Sequence, residues 1–407
     1  MKTKRTICKQ ACGIISVLFL LTACSAPSGE NTGVVDVATA LEHPTELKLS
    51  QLGNHVRYVP LETTDSSLIG HRARVSVLKR HILVTFPNNC LLFDKETGKF
   101  MGKVGRVGPD PTSYSSPEPC YDEANDWLYF KREPYKWVKY DTRGHYLGTF
   151  AFSKVGSAPA CCLFDGPRII AYHEGMEGPA NSITFFDASG MATDSIPSSL
   201  GKGISIRDLL SVNIKKLGNM SFMLLIGKDV HQVTSQDRTL WMSNQNVRFM
   251  EHFSDTLYTL EKNRLEPYLV FDTGKWKSGE DARQVAPGTT DCMMIGSVLE
   301  SGNGLFFQCA LDIYNEEKIP VFNGIYDKKT GRTYMAPLED GIADDLQGLM
   351  PFHPQSVNKH GEYASLIEAG EVTEWMDGHP EVGRLPQWEP LTKLVEDDNP
   401  VAVIVTP

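Results

Sequence analysis

The chain has 407 residues, of which 41% are hydrophobic and 22% are charged, so it can bury a sizeable core and is not a disordered tail. Its formal net charge of -10 argues against nucleic acid as a partner, because binding to the phosphate backbone needs an excess of lysine and arginine. The 34 glycines and 24 prolines are enough to separate many short structural elements.

The first predicted element is a targeting segment over residues 1–23. Four lysine and arginine side chains precede the apolar run at residues 14–21, which is too short to cross a membrane as a helix. The segment ends in Leu21-Thr22-Ala23-Cys24, which resembles the lipobox of bacterial lipoproteins. In that motif the cysteine receives the lipid and becomes the new N-terminus, so lipidation is predicted at Cys24. An ordinary secretory signal that ends near this cysteine is the alternative.

Residues 24–44 are predicted to be a tether between the lipid and the folded domain. Several acyl chains give stable anchoring, so we expect a protein of the cell envelope that is attached to a membrane, with the outer membrane favoured. Some surface lipoproteins carry an acidic run directly after the cysteine, and only Glu30 is acidic in the first part of this tether. The periplasmic face is therefore favoured over the cell surface. Loss of residues 1–23 would remove four cations and no acids, taking the formal charge to -14.

Residues 45–407 are predicted to be one all-β domain. Short runs that are rich in β-branched and aromatic residues recur along it, bounded by Gly, Pro, Asn and Asp, as at residues 55–61, 81–86 and 401–405. Helical periodicity is scarce after residue 50. Length alone leaves open two or three ordinary domains or one large β domain.

One hairpin unit recurs in this domain: an aromatic residue, an aspartate, two or three turn residues, a glycine and an outgoing strand. Its four copies place the aspartate at Asp94, Asp141, Asp187 and Asp327, and a weaker copy without Asp or Gly spans residues 255–265. The carboxylate can cap the turn while the glycine supplies the positive φ of a tight hairpin. The first three aspartates are 47 and 46 residues apart, the length of one four-stranded propeller blade.

The spacing predicts a six-bladed β-propeller with four-stranded antiparallel blades. Five hairpins and one blade from the C-terminal segment make six, and residues 204–243 are expected to hold an insertion. Pairing of residues 56–61 with residues 401–405 is expected to close the ring, because it removes two exposed strand edges. A β-sandwich with evenly spaced hairpins is the alternative.

Four stretches resemble the six-bladed, NHL-like β-propeller lipoproteins of the Bacteroides group, a family recorded as a domain of unknown function. They are residues 57–70, 105–114, 253–258 and 398–401. The chain departs from the usual Gly-Pro of the family where Arg106 follows Gly105, which puts in doubt a ligand role for a carboxylate in that loop. The resemblance implies the fold and an envelope location, and it implies no reaction.

The cysteines give no metal or cofactor prediction. Cys90, Cys120, Cys161, Cys162, Cys292 and Cys309 form neither a CxxC pair nor a Cys/His cluster with zinc spacing. Buried free thiols are favoured over disulfides, although an exported protein permits both. Cys161 and Cys162 would point to opposite faces of a strand, so at most one is expected to face the core.

Candidate ligand-binding residues lie where blade-connecting loops would converge on a central channel. The polar and aromatic residues at such positions are Arg106, Tyr114, Arg132, Tyr135, His173, Glu174, Trp241 and His353. Four of them are chosen as ligand-binding residues: Arg106, Tyr114, His173 and Trp241. Arg106 is favoured, because an arginine between glycines beside a proline-rich turn suits an anion better than packing. Bracing of neighbouring loops through their carbonyl groups is the alternative.

No catalytic residue is predicted, because the sequence contains neither GxSxG nor HExxH. Glu371 and Glu374 fit a solvated face better than a glycosidase pair, and Asp291, Asp312 and Asp344 lack a calcium-loop pattern. The preferred function is therefore a lipid-anchored binding or interaction module for a glycan, a peptide or an envelope protein. The alternative is a propeller enzyme, either a glycan hydrolase or lyase or a metal-dependent lyase or lactonase. A structural role without a small ligand is a third possibility.

Overall fold

The computed structural model describes residues 32–174, 181–235, 238–315, 318–383 and 385–407. Thr32–Pro407 forms one compact unit. The targeting segment, Cys24 and the first part of the tether lie outside the described residues, so the lipidation of Cys24 stays a prediction.

The described residues form 29 strands. The first fourteen in chain order are β1 (Gly33–Asp36), β2 (His55–Pro60), β3 (Arg74–Val77), β4 (His81–Phe86), β5 (Asn89–Asp94), β6 (Phe100–Lys103), β7 (Cys120–Asp122), β8 (Trp127–Glu133), β9 (Lys136–Asp141), β10 (Tyr146–Ala151), β11 (Pro159–Asp165), β12 (Arg168–His173), β13 (Asn181–Phe186) and β14 (Ala192–Pro197). The others are β15 (Leu209–Leu217), β16 (Met220–Gly227), β17 (His231–Ser235), β18 (Leu240–Ser243), β19 (Asn246–Phe249), β20 (Thr256–Glu261), β21 (Arg264–Asp272), β22 (Gln284–Val285), β23 (Met293–Glu300), β24 (Gly304–Leu311), β25 (Val321–Asp327), β26 (Arg332–Pro337), β27 (Ser356–Val357), β28 (Tyr363–Ile367) and β29 (Val401–Thr406).

Helices are few and short, in agreement with the all-β prediction. They are α1 (Val37–Glu42), α2 (Glu280–Arg283), α3 (Ala369–Gly378) and α4 (Pro380–Gly383), with 3-10 turns at Leu49–Gln51, Ile206–Asp208, Leu338–Asp340, Pro386–Trp388 and Leu391–Lys393. Asp36 caps α1, since its carboxylate accepts a hydrogen bond of 2.9 Å from the Thr39 amide.

The strands form seven sheets, which we number I to VII. Their strand orders are β3-β4-β5-β6 (sheet I), β7-β8-β9-β10 (sheet II), β11-β12-β13-β14 (sheet III), β15-β16-β17-β22 (sheet IV), β18-β19-β20-β21-β1 (sheet V), β23-β24-β25-β26 (sheet VI) and β27-β28-β29-β2 (sheet VII). Neighbouring strands are antiparallel except β1, which pairs with β21 in parallel.

The predicted count of six is therefore wrong, because the structure contains seven sheets. Three strands of sheet IV lie in the stretch that was expected to be an insertion without a sheet of its own. The β15–β16 hairpin turns through Gly218 and Asn219 and has no aspartate–glycine signature, so the repeat did not reveal it. The prediction of four antiparallel strands per sheet is confirmed for six of the seven sheets, and sheet V has a fifth strand.

Each of the four copies of the repeated unit forms a hairpin, as predicted, and the structure places this hairpin between the last two strands of the sheet. In the first copy the Asp94 carboxylate accepts hydrogen bonds from the amides of Glu96 and Thr97 at 3.1 and 2.8 Å. Gly98 in the same turn has a φ of 69°. Asp141, Asp187 and Asp327 accept equivalent amide hydrogen bonds in their own turns. This hairpin can be predicted from a few residues, because the aspartate accepts hydrogen bonds from the amides of the turn and the glycine adopts its positive φ.

The predicted pairing of the two ends of the domain is present. β2 pairs with β29 in antiparallel register from His55↔Thr406 to Pro60↔Val401. The predicted tether is shorter than expected, because its last residues include β1 and α1. Val35 and Val37 are fully buried there, and that burial holds the segment against sheet V.

Sheets I, II, III, V, VI and VII each pack against a neighbouring sheet on both faces, whereas sheet IV, among the described residues, takes part in one cluster only. Ile82 and Val84 of β4 pack towards sheet VII, while Leu83 between them packs towards sheet II. Successive side chains of a strand point to opposite faces, which explains why this strand is an apolar run and does not alternate with polar residues. Full burial of one such side chain contributes about 1.5–3 kcal/mol. Hydrophobic clusters join sheets I–II, II–III, III–V, V–VI, VI–VII and VII–I, and sheet IV packs on sheet VI.

Candidate functional site

A cavity of about 1030 Å³ lies among the first strands of six sheets. Its lining includes residues of β3, β7, β11, β18, β23 and β27. Sheet IV reaches the cavity through Asn219 in the turn between β15 and β16. Side chains from all seven sheets therefore converge on one concave space, which is the usual setting of a ligand site.

Asn219 is held in place by sheet VI and by the loop that precedes β27. Its amide donates a hydrogen bond of 2.9 Å to Oε1 of Gln308, and its side chain donates to the carbonyl of Pro354. Gly218 before it has a φ of 59°, and a Cβ there would lie 2.8 Å from the Gln308 amide group. The turn thus needs glycine both for its backbone conformation and for its close approach to sheet VI.

Arg238 is the cation that extends across the cavity. Its Nε donates to the carbonyl of Leu240 at 3.3 Å in sheet V, and its Nη1 donates to the carbonyl of Val357 at 3.2 Å in sheet VII. The residue is exposed and belongs to the lining of the cavity. Burial lowers the pKa of Arg238 from its usual value. A guanidinium has five N–H donors, so these two bonds leave donors that can bind a carboxylate or carbonyl group.

Lys131 and Glu174 add charge of both signs to the same lining. Burial raises the pKa of Glu174, although Lys131 acts in the opposite direction. The aromatic side chains of Tyr121, Trp137 and Phe164 also line the cavity. A lining of this kind suits a polar ligand with an apolar face.

Three cysteines line the cavity beside these charges. They are Cys120 of β7 and the adjacent Cys161 and Cys162 of β11. The Cys162 amide donates a hydrogen bond of 3.1 Å to Sγ of Cys120. All six cysteines in the described part of the chain are free, with Cys90, Cys292 and Cys309 buried and these three partly exposed.

The predicted opposite orientation of Cys161 and Cys162 is present. Cys162 packs with Cys120 between sheets II and III, and Cys161 packs between sheets III and V. The expectation that at most one faces the core is wrong, because both faces of sheet III are covered.

An ion pair links sheets II and VII at the wall of the cavity. Oε1 of Glu123 lies 2.9 Å from Nζ of Lys359 and 3.0 Å from Nε2 of His360. Burial opposes ionisation of Glu123, but the hydrogen bonds from Lys359 and His360 outweigh it and lower the pKa of Glu123. The contact joins the β7–β8 turn to the β27–β28 turn and so braces the cavity.

A second cavity of about 20 Å³ adjoins the first, sharing Arg238 and Thr239 in its lining. It also contains Glu251, whose carboxylate accepts hydrogen bonds from Tyr172 at 2.7 Å and from Ser182. Nε2 of the neighbouring His252 has no hydrogen-bond partner among the described residues. Burial raises the pKa of Glu251 and lowers that of His252 to about 4.

Two of the predicted ligand-binding residues lie near the boundary of sheets I and II. Arg106 is exposed and forms an ion pair with Asp110. Tyr114 is 1% exposed, donates a hydrogen bond of 2.7 Å to the Val104 carbonyl and stacks on Phe130 at 4.3 Å between ring centroids. Neither lines the large cavity. The bracing of carbonyl groups that was the alternative for Arg106 is performed by Arg132, which donates to the Ser113 carbonyl at 2.9 Å.

The other two predicted residues are buried between sheets. Nε2 of His173 lies 2.8 Å from Oγ1 of Thr184, and burial lowers the pKa of His173. Trp241 donates a hydrogen bond of 3.1 Å from Nε1 to Glu300. The structure does not bring the four chosen residues together, and their ligand role stays a prediction. Of the wider set of eight, Glu174 lines the cavity, while Tyr135 binds the Gly156 carbonyl and His353 is exposed.

The carboxylates considered for catalysis or calcium binding are either exposed or hydrogen-bonded within the protein. Glu371 and Glu374 are exposed on α3. Asp312 accepts a hydrogen bond of 2.9 Å from the Asp291 amide, and Asp344 accepts one of 2.7 Å from the hydroxyl of Tyr58. Among the described residues, no group of three or more His, Cys, Asp or Glu side chains is arranged to hold a metal ion.

Sequence reasoning missed Arg238, Lys131 and the grouping of the three thiols. The available signal was the position of each thiol in the first strand of its sheet, because those strands line the cavity. That signal can be used only when the boundaries of the sheets are known. Three of the four strands of sheet IV lie at residues 209–235, where the sequence did not predict a sheet.

Comparison with known proteins agrees with one β domain. The family described as Domain of unknown function (DUF4934) matches residues 32–406. The fold is shared with a Bacteroides fragilis protein thought to be exported, with a TM-score of 0.61 and 16% identity over 91% of this chain and 98% of that one. The WD40 repeats of RRP9 align with a TM-score of 0.41 and 11% identity over 90% of this chain and 100% of that one. No curated protein matches the sequence. Within the described ranges, every helix is too short or too polar to cross a membrane.

Proposed function

The chain belongs to the family described as Domain of unknown function (DUF4934), and we propose that it is an exported binding protein whose ligand occupies the large cavity. The observation that carries this proposal is the cavity of about 1030 Å³ to which all seven sheets contribute. A rigid frame of sheets with a polar concave centre suits binding. No feature of the described residues favours the enzymatic alternative.

The binding site would be the centre of a propeller-like ring. Support comes from the six clusters that join sheets I, II, III, V, VI and VII in cyclic order. The pairing of β2 with β29 supports closure of that ring by the two ends of the domain. Sheet IV packs on sheet VI and contributes Asn219 to the lining of the cavity. Closure of this kind removes exposed strand edges.

The ligand would be a glycan or a peptide with an anionic or carbonyl group that Arg238 can bind. Support comes from the two hydrogen bonds that hold the guanidinium of Arg238 across the cavity. The remaining N–H groups of the guanidinium are available to a ligand. Arg74, Lys131 and Lys359 are the other cationic residues of the same lining. An envelope protein could present the same chemistry through an extended segment or a chain end.

Binding is tested with the full-length protein in detergent on arrays of glycans and peptides. Arg238→Ala is expected to weaken binding at least tenfold, because the charge-assisted hydrogen bonds to the ligand are lost. Arg80→Ala, which removes an exposed arginine outside the lining, is the matched control and should bind like the wild type. Failure of the wild type to bind any array member, or equal binding by Arg238→Ala, would overturn the proposal.

The location would be the cell envelope, with the lipid on Cys24 as the anchor and the periplasmic face of the outer membrane as the favoured site. Support comes from the motif at residues 21–24 and from the Bacteroides fragilis structure, whose protein is thought to be exported. Cys24→Ala should abolish labelling by a radioactive fatty acid and release the protein from the membrane fraction. Cys12→Ala, in the segment expected to be removed, should not change either result. Retention of the label in Cys24→Ala would refute lipid anchoring at this residue.

A further inference from the structure

Two thiols from neighbouring sheets meet at the wall of the large cavity. The Cys162 amide donates to Sγ of Cys120 at 3.1 Å, and both side chains pack in the same cluster between sheets II and III. Both side chains are free, partly exposed and in the cavity lining. Cys120 and Cys162 therefore form a dithiol that a small molecule in the cavity can reach.

The surroundings favour the thiolate at Cys120 over the one at Cys162. Hydrogen bonding by Cys162 lowers the pKa of Cys120, and Arg238 acts in the same direction. Burial and the hydrogen bond to Cys120 raise the pKa of Cys162. A thiolate is the nucleophile in disulfide exchange, so Cys120 is suited to attack first and Cys162 to follow.

We propose that Cys120 and Cys162 are a redox-active pair that reduces a small disulfide in the cavity and closes to an intramolecular disulfide. The Cys120 thiolate attacks one sulfur of R–S–S–R, which forms a mixed disulfide and releases one RS⁻. Cys162 loses its proton to solvent and attacks Sγ of Cys120, which releases the second RS⁻. Two electrons pass from the dithiol to the small disulfide, which is the oxidant. The activity needs access to the cavity and does not depend on the polar ligand proposed above.

The chain contains its own control for this assignment. Cys161 is next to Cys162 and lines the same cavity, but it packs on the opposite face of β11, towards sheet V. Burial raises the pKa of the Cys161 thiol. Because its side chain lies on the opposite face of β11 from Cys120, Cys161 should take no part in the exchange even though it adjoins the reactive pair.

The test uses the full-length protein, reduced and then exposed to oxidised glutathione. After acid quenching and alkylation, peptides are mapped by mass spectrometry without reduction. The wild type should yield a peptide pair linked through Cys120 and Cys162, with release of two equivalents of reduced glutathione. Cys162→Ala should stop at the mixed disulfide and carry glutathione on Cys120. Cys161→Ala should behave like the wild type.

Three results would overturn the proposal: no linkage in the wild type, linkage of Cys161 to Cys120, or glutathione on Cys162 in place of Cys120. Each variant is checked for a native unfolding transition before it is used. If a variant does not fold, the linkage map and glutathione release of the wild type decide the outcome alone.

Discussion

Trp241 Nε1 donates a hydrogen bond of 3.1 Å to Oε2 of Glu300, whose side chain has 0% exposure. Nε of Arg248 lies 3.2 Å from the same oxygen, and Nζ of Lys328 lies 2.6 Å from the other. The carboxylate thus joins sheet V to sheet VI through one aromatic and two cationic partners. A tryptophan that was chosen from the sequence as a ligand contact supports the core in this structure.

Replacing this carboxylate should destabilise the protein strongly. Glu300→Gln keeps the shape of the side chain but leaves Arg248 and Lys328 without their counter-charge in a buried site. Breaking a buried ion pair from one side costs about 3–5 kcal/mol, so the free energy of unfolding in urea should fall by that amount. Glu389→Gln, at an exposed pair with Lys393, is the control and should leave the midpoint unchanged. Equal effects of the two substitutions would contradict the prediction.

His252 should make the protein less stable in mild acid. Burial lowers its pKa to about 4 in the folded protein, whereas an unfolded histidine has a pKa of about 6.5. Its contribution to stability is therefore fully present above about pH 6.5 and is lost as the pH falls towards 4, by up to roughly 3 kcal/mol. The free energy of unfolding, measured across this range, should fall less steeply with decreasing pH in His252→Gln than in the wild type.

Glu251, which precedes His252 in the chain, contributes to stability with the opposite dependence on pH. Burial raises the pKa of Glu251, so its contribution is present at low pH and is lost as the pH rises through the raised value. Glu251 is common to the wild type and His252→Gln, so the difference between their profiles isolates His252. His71→Gln, at an exposed loop residue, should reproduce the wild-type profile. Identical profiles for all three proteins would show that His252 does not titrate as predicted.

Gly218→Ala should lower the free energy of unfolding more than the same substitution at another glycine of equal φ. Both Gly218 and Gly166 have a φ of 59°, but a Cβ meets Gln308 only at Gly218 and nothing within 4 Å at Gly166. Gly166→Ala should therefore show the backbone cost alone, about 1–2 kcal/mol. Gly218→Ala adds the displacement of the turn that carries Asn219 into the cavity. Urea unfolding of both variants gives the difference, and a smaller cost at Gly218 would contradict the prediction.

The hydroxyl of Tyr58 should contribute measurably to stability through Asp344. The Asp344 carboxylate accepts this hydrogen bond at 2.7 Å and further ones from the amides of Leu346 and Gln347 at 3.1 and 2.9 Å. A hydrogen bond to a charged group contributes about 1.5–3 kcal/mol, and Tyr58→Phe should lower the free energy of unfolding accordingly. A double-mutant cycle with Asp344→Asn measures the coupling. A coupling near zero would mean that the hydroxyl acts elsewhere.

The hairpins were predictable because their cause is local. An aspartate and a glycine four residues apart, as at Asp94 and Gly98, satisfy a turn whatever surrounds it. The pairing of β2 with β29 was also predictable, because two apolar runs at the ends of the domain would otherwise present free edges. Sheet IV was not predictable in this way, because its β15–β16 hairpin turns at Gly218 and lacks the aspartate of the repeated unit.

The site was less predictable than the fold because its residues become neighbours only through sheet packing. Trp241 and Glu300 lie in different sheets, so the sequence does not show that the indole has an internal partner. Cys120 and Cys162 likewise belong to strands of sheets II and III. The position of Arg238 depends on the carbonyl of Val357 in sheet VII. Each relationship depends on which strand is first in its sheet, and composition and spacing do not encode that.

The register from His55↔Thr406 to Pro60↔Val401 also sets the order in which the molecule can be completed during synthesis. β2 leaves the ribosome long before its partner β29, because strands β3 to β28 are translated between them. Sheet VII therefore stays unfinished while the other sheets are made, and a chain that stops early leaves β2 without β29. Val401, Val403 and Val405 are fully buried, so loss of β29 removes core packing together with the partner of β2. Translation through β29 is thus a condition for the finished domain.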